Sequence, residues 1–130
     1  MAAQIGRSIA TLSIAAAAMV AMSATSFAET PLERGTYLMN SIVACGNCHT
    51  PKGPNGVAIA GKELSGGDPI DSPVFHAMPA NITSDKDTGI GNWTDDQIIN
   101  AIRNGKRPDG TTIGPPMPIP FYRDMSDTDV

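Results

Sequence analysis

The sequence has little of what most small domains use to fold. Of its 130 residues only two are Cys and 5% are aromatic, and the formal net charge is -4. Two cysteines are too few for a disulfide-dense scaffold or a four-cysteine zinc site. An acidic chain is a poor candidate for a nucleic-acid-binding protein, because phosphate contacts require clustered Lys and Arg. The length is that of a single domain.

The apolar residues are concentrated at the N-terminus. Residues 1–28 contain 19 of them, whereas the other 102 residues contain only 34, together with 12 Gly and all 11 Pro. A domain of that size with so few apolar residues has difficulty in building a core of its own. We therefore expect another component to supply buried apolar area.

The first 28 residues match a secretory signal peptide. Arg7 provides the charged start, Ile9–Met22 the apolar stretch, and Ser26 and Ala28 the small residues that a signal peptidase reads. The alternative is an uncleaved membrane anchor, but Ser and Thr dilute the stretch, and a spanning helix needs about 20 apolar residues. We expect a signal peptide over 1–28, a domain over 29–130 and a periplasmic location.

Two capping boxes predict helices. Thr30–Glu33 and Thr94–Gln97 each place a Thr three residues before a Glu or Gln. The spacing of apolar residues predicts a first helix over Thr30–Val43. The second runs to Asn104, with Gly105 as its left-handed cap.

Loops are expected over most of the remaining chain. Residues 50–92 are rich in Gly and Pro, and Pro115–Pro120 is a second proline-rich stretch. A loop of roughly 40 residues is unusual inside a compact domain, but it becomes acceptable if it wraps around a rigid cofactor. Ser126–Val130 resembles the first turn of a helix, with a Ser cap followed by acidic residues.

The strongest motif is Cys45-Gly46-Asn47-Cys48-His49. C-x-x-C-H is the attachment pattern of c-type haem. Two thiols on one helical turn can form thioethers with the two vinyl groups, and the next residue then points its imidazole at the iron. Cys45 and Cys48 are therefore the candidate covalent residues, and His49 is the candidate proximal ligand. A haem would also supply the missing apolar area.

Three other interpretations of the motif are weaker. A redox C-x-x-C normally follows a strand in a βαβ unit, whereas a predicted helix precedes this one. A zinc site requires more Cys or His, and His76 is the only other His. A disulfide between Cys45 and Cys48 suits an exported chain but gives no role to His49.

Met117 is the favoured sixth ligand of the iron. It lies among four prolines, whose fixed φ angles hold an extended loop in place, as a weakly binding thioether requires. Met78 and His76 are the alternatives, and ligation by His76 would lower the potential. Met39 is expected to pack in the core, and Met125 to pack beside the last helix.

Three polar features have open roles. Trp93 either donates its indole N–H to a haem propionate or is a buried anchor. The second nitrogen of His49 needs an acceptor, for which a carbonyl within Thr50–Pro54 is the nearest candidate. A basic cluster either pairs with the propionates, forms a docking face or is a solvated helix end. It consists of Arg103, Lys106 and Arg107.

Further segments share a pattern with a known family. They are Arg34–Leu38, Cys45–Thr50, Asn81–Thr83, Thr88–Gly91, Trp93-Thr94, Asp109-Gly110 and Pro116–Pro118. With them the chain from about Pro31 to Val130 resembles a single-haem class I cytochrome c, and it is most similar to the haem modules of the cytochrome subunits of bacterial alcohol, aldehyde and gluconate dehydrogenases. The resemblance implies a mainly α fold, with few short helices and long loops wrapped around one covalent haem c. It also implies attachment at Cys45 and Cys48, with His49 and Met117 as axial ligands.

The family also has a C-terminal helix that crosses the first helix at a small residue, for which Gly35 is the candidate. This sequence stops after one turn of the expected helix. We therefore expect a C-terminally incomplete domain that is unstable or holds its haem loosely, with Tyr37 and Leu38 left exposed.

Electron transfer is the function that these features favour. We expect the chain to pass single electrons from a dehydrogenase to an oxidase or another cytochrome of the respiratory chain. We expect no nucleic-acid partner, and membrane contact only through partners or an uncleaved N-terminus. The alternative is a haem-based sensor with an open or His-ligated sixth position, although such bundles carry the motif near the C-terminus. An enzyme is not expected, because no acid/base constellation accompanies the motif.

Overall fold

Short helices and long loops make up the structure, a computed structural model that describes residues 28–130. The predicted signal peptide, apart from Ala28, lies outside the described residues. A two-residue hairpin pairs β1 with β2, so that Ile70 lies opposite Ala77. Among the described residues no helix is both long enough and apolar enough to cross a membrane. The helices are α1 Pro31–Tyr37, α2 Gly46–His49, α3 Asp95–Asn104 and α4 Ile119–Tyr122, and the strands are β1 Ile70–Asp71 and β2 His76–Ala77.

Helix α1 begins at the predicted capping box. The N–H of Glu33 donates to Oγ1 of Thr30 at 3.2 Å, and the N–H of Thr30 donates to Oε2 of Glu33 at 2.8 Å. The predicted extent of the helix is confirmed, but its second half, Leu38–Ile42, is π-helical. The N–H of Val43 accordingly donates to the carbonyl of Leu38, five residues earlier, at 2.9 Å. Such turns occur mostly inside α-helices and are frequent at functional sites.

Helix α3 also has the predicted ends. Thr94 and Gln97 form the second capping box, and Gly105 adopts the left-handed conformation with φ 62°. A Cβ at Gly105 would lie 3.3 Å from Cγ1 of Ile119. Glycine therefore allows both the helix to end here and α4 to approach closely.

The C-terminal segment forms the predicted helical turn against α1. The N–H of Asp129 donates to Oγ of Ser126, and the N–H of Val130 donates to the Ser126 carbonyl, both at 3.1 Å. Nε of Arg34 donates to Oδ1 of Asp129 at 2.7 Å. This contact brings the segment to the side of α1.

The expected close crossing at Gly35 is not made by the described residues. No atom of residues 28–130 outside the helix itself lies within 4 Å of a Cβ built at Gly35. Tyr37 is half exposed, as expected, but the expectation for Leu38 is wrong, because Leu38 is 6% exposed. Leu38 is thus buried at the position where the π-helical turn begins.

The described residues bury few apolar side chains. The buried hydrophobic residues are Leu38, Ala101 and Ile119, and no described side chain is less than 2% exposed. Eight large apolar side chains are exposed among the described residues. They are Leu32, Tyr37, Ile42, Val57, Ile59, Val74, Met78 and Phe121. This pattern agrees with the expectation that the chain needs another component to complete its core.

Candidate haem-attachment site

Helix α2 places the three residues of the motif on one turn. The N–H of His49 donates to the carbonyl of Cys45 at 2.9 Å, and the N–H of Asn47 donates to that of Ala44 at 2.9 Å. Both thiols are free; Cys45 is half-buried and Cys48 is exposed. Burial raises the pKa of Cys45, and the neighbouring Cys48 raises it further. Two unbonded thiols on one short turn are the arrangement that thioether attachment requires.

His49 is oriented by a residue distant in sequence. Its Nδ1 lies 2.7 Å from the carbonyl oxygen of Ala80, 31 residues away. A carbonyl only accepts, so Nδ1 carries the proton and Nε2 keeps a lone pair for a metal. The predicted kind of acceptor is confirmed, but its predicted position within Thr50–Pro54 is wrong. The backbone of Thr50 is extended, so α2 ends at this residue, and a carbonyl 31 residues along the loop takes the contact with the ring.

The loop after the motif is joined to α2 by backbone hydrogen bonds. The N–H of Gly66 donates to the carbonyl of His49 at 2.9 Å. Oγ1 of Thr50, which is 5% exposed, accepts from the N–H of Leu64 at 3.0 Å. A Cβ at Gly67 would lie only 1.7 Å from the carbonyl oxygen of Cys48. Sequence reasoning missed these positions, although the adjacent pair Gly66-Gly67 was a signal of close backbone approach.

The candidates for the sixth ligand have different settings. Met117 is half-buried, and its N–H donates to Gly114 at 3.3 Å while its carbonyl accepts from Ile119 at 2.9 Å. Met78 is 61% exposed. The side chain of His76 is 64% exposed, and its Nδ1 is hydrogen-bonded to Asp71 across the β-hairpin. Of the three candidates, Met117 is the one that is half-buried and that lies within a hydrogen-bonded turn.

The basic cluster is connected to neighbouring loops. Nη2 of Arg103 donates to the carbonyl of Met125 and pairs with Asp127, each at 2.8 Å. Lys106 and Arg107 hydrogen-bond to the loop that follows them, through Thr111 and Thr112. Trp93 is half-buried.

The residues present fit a covalent haem c. Free thiols at Cys45 and Cys48 and a free Nε2 on His49 provide the donor set on one turn. The exposed apolar side chains provide surface that a macrocycle can cover. Nε of Arg103 is buried without a partner among the described residues, and a haem carboxylate is an acceptor of the kind that it lacks.

A small, loop-rich helical domain with a C-x-x-C-H turn defines a c-type cytochrome. No protein-family model matches the chain. It is 37% identical over 102 residues to the cytochrome c subunit of a quinone alcohol dehydrogenase from Gluconobacter oxydans, covering 78% of this chain and 20% of that protein. It is 37% identical over 99 residues to the gluconate 2-dehydrogenase cytochrome c subunit of Pantoea cypripedii, covering 76% and 21%. It is 42% identical over 100 residues to the fructose dehydrogenase cytochrome subunit of Gluconobacter japonicus, covering 76% and 19%.

The chain is therefore a cytochrome c that resembles these dehydrogenase subunits. The expected resemblance is confirmed. The chain spans about a fifth of the length of these curated relatives.

Proposed function

We propose that this chain is an electron carrier with one covalently bound haem c. Cys45 and Cys48 form the thioethers, His49 is the proximal ligand and Met117 the distal ligand. The chain has two cysteines, which suffice for one attachment site. When bound, the haem iron exchanges a single electron between its ferrous and ferric states. His/Met ligation raises its potential and suits a carrier.

The hydrogen bond between His49 and Ala80 is the observation that carries this proposal. It fixes the tautomer that leaves Nε2 available, and it does so on the same turn as both thiols. In a redox or disulfide motif the imidazole would have no such requirement. The cytochrome relatives support the same chemistry.

Partners and location are part of the proposal. The relatives are named as cytochrome subunits of alcohol, gluconate and fructose dehydrogenases, so we propose a dehydrogenase as donor and an oxidase or another cytochrome as acceptor. The N-terminal signal would export the chain to the periplasm, where the haem is attached. Fractionation of cells that produce the full sequence tests the location, and haem found only in the cytoplasmic fraction would contradict it.

Covalent attachment is tested by producing the full sequence together with a haem-maturation system. The parent should stain for haem on a denaturing gel and keep its colour in acidified acetone. Cys45→Ala and Cys48→Ala should each abolish stable holoprotein, whereas Cys48→Ala with added free haem should give at most an extractable complex. Haem that is extracted from the parent would overturn the proposal.

Distal ligation is tested by the weak sulfur-to-iron charge-transfer band of the ferric protein. Met117→Ala should lose this band, and Met78→Ala should keep it. The opposite result would move the ligand to Met78. A bis-imidazole spectrum in the parent would point to His76, and a five-coordinate spectrum would favour the haem-sensor function.

A further inference from the structure

Tyr122 joins two segments that are far apart in sequence. Its hydroxyl donates to the carbonyl of Val43 at 3.2 Å across 79 residues. Val43 lies two residues before Cys45, and Tyr122 lies five residues after Met117. This hydrogen bond therefore connects the attachment turn to the segment that carries the proposed distal ligand.

The backbone just before the attachment turn has an unfavourable conformation that other contacts must hold in place. Ala44, between Val43 and Cys45, has φ 50°, a left-handed conformation that is unfavourable for a residue with a Cβ. It lies two residues after the π-helical turn Leu38–Ile42. Conformations of this kind persist only where the surrounding structure holds them in place.

The other end of the connection is well supported. The carbonyl of Met117 accepts from the N–H of Ile119 at 2.9 Å, and Ile119 is 8% exposed where α4 packs on α3. Tyr122 ends α4. Burial raises the pKa of Tyr122 above its ordinary value of 10.0, so the phenol is protonated and remains a donor at neutral pH.

We propose that Tyr122 is a positioning residue that controls how firmly Met117 is held as the distal ligand. Its hydrogen bond to Val43 holds the Met117 segment at a fixed position relative to the attachment turn. Losing that bond increases the fraction of molecules in which Met117 is displaced. The inference rests on the proposed function and adds to it a residue outside the attachment motif.

Competition by imidazole for the ferric iron tests this role. An external ligand binds only when Met117 has left, so its apparent affinity reports the displaced fraction. Tyr122→Phe keeps the ring and removes the hydroxyl. Imidazole, followed by loss of the sulfur-to-iron band, should bind this variant about 3- to 10-fold more tightly than the parent.

Asp129→Asn is the matched control. It removes a different link between the C-terminal segment and α1, the Arg34–Asp129 ion pair, and leaves the hydrogen bond to Val43 in place. It should lower the melting temperature of the holoprotein slightly without changing imidazole affinity. If the role of Tyr122 is purely structural, Tyr122→Phe should likewise lower the melting temperature without changing the affinity for imidazole.

The outcomes separate this inference from the proposed function. A parent with the charge-transfer band, and imidazole affinities within about twofold of it for both variants, would overturn the role of Tyr122 alone. A parent without the band would overturn ligation by Met117 and the role of Tyr122 together. Tighter imidazole binding only in Tyr122→Phe supports both.

Discussion

The loop that follows the attachment motif and the helical side of the molecule are stabilised in different ways. The loop over residues 50–92 donates from the N–H of Gly66 to the carbonyl of His49 and from the N–H of Leu64 to Oγ1 of Thr50, and its backbone passes close to Cys48 at Gly67.

The helical side, formed by α1, the π-helical turn, α3 and α4, instead contains all the buried hydrophobic residues of the described part of the chain, Leu38, Ala101 and Ile119. Large apolar side chains are exposed in both regions, for example Ile42 and Phe121 on the helical side and Val74 and Met78 in the loop.

The contrast indicates that the loop is held mainly through its backbone, whereas the helical side is held by apolar packing. Hydrogen bonds to backbone groups need no large side chains, so a Gly- and Pro-rich loop can make them. The helical side packs through apolar side chains, of which Leu38, Ala101 and Ile119 are buried.

The largest effect on stability is expected from Gly67→Ala in the loop, and Gly35→Ala in α1 is its matched control. Gly67→Ala would place Cβ 1.7 Å from the carbonyl of Cys48, so it should destabilise the domain by about 3 kcal/mol or more. Gly35→Ala meets no atom within 4 Å and should be neutral or stabilise α1 by up to about 1 kcal/mol. Thermal melts of the holoproteins, followed at the Soret band, check both values.

The opposite result at Gly35 would contradict this expectation. A strong destabilisation by Gly35→Ala would show that another segment or protein packs on α1 in solution. Such a result would support the close helix crossing that is expected at Gly35 from the sequence.

An intermediate effect is expected at Thr50. Thr50→Val keeps the shape but removes the acceptor for the N–H of Leu64, which leaves a polar group unsatisfied beside a buried residue. The expected cost is about 1–3 kcal/mol. Thr50→Ser keeps the hydroxyl and should cost less, and chemical denaturation of the two holoproteins measures the difference. A smaller cost for Thr50→Val than for Thr50→Ser would mean that the methyl group, and not the hydrogen bond, stabilises the loop.

The smallest effect is expected from the ion pair on the helical side. The hydrogen bond from Arg34 lowers the pKa of Asp129 below its ordinary value of 3.8. A group whose pKa is lowered by folding stabilises the protein above its unfolded pKa, and this contribution is lost as the pH falls through the folded pKa. The melting temperatures of the parent and Asp129→Asn should therefore differ at pH 6 and converge below pH 3.8. A constant difference would assign the effect to packing.

Several local features could be predicted from neighbouring residues alone. Both capping boxes join residues three apart, the left-handed cap requires only a Gly after the last turn, and the C-x-x-C-H spacing brings both thiols and the imidazole onto one turn. Each of these depends on hydrogen bonds within about one helical turn, so the chain path elsewhere does not alter them. The turn at Ser126 belongs to the same group.

Other features depend on where distant segments meet, and the tertiary structure alone decides them. The acceptor for His49 is Ala80 and not a nearer carbonyl, Gly67 is required by Cys48, and Tyr122 reaches Val43 across 79 residues. Local spacing contains no information about these pairs, because loops of similar composition can return to many positions. The sequence by itself therefore determined the attachment turn and its chemistry, whereas the path of the loop decided which backbone groups orient it.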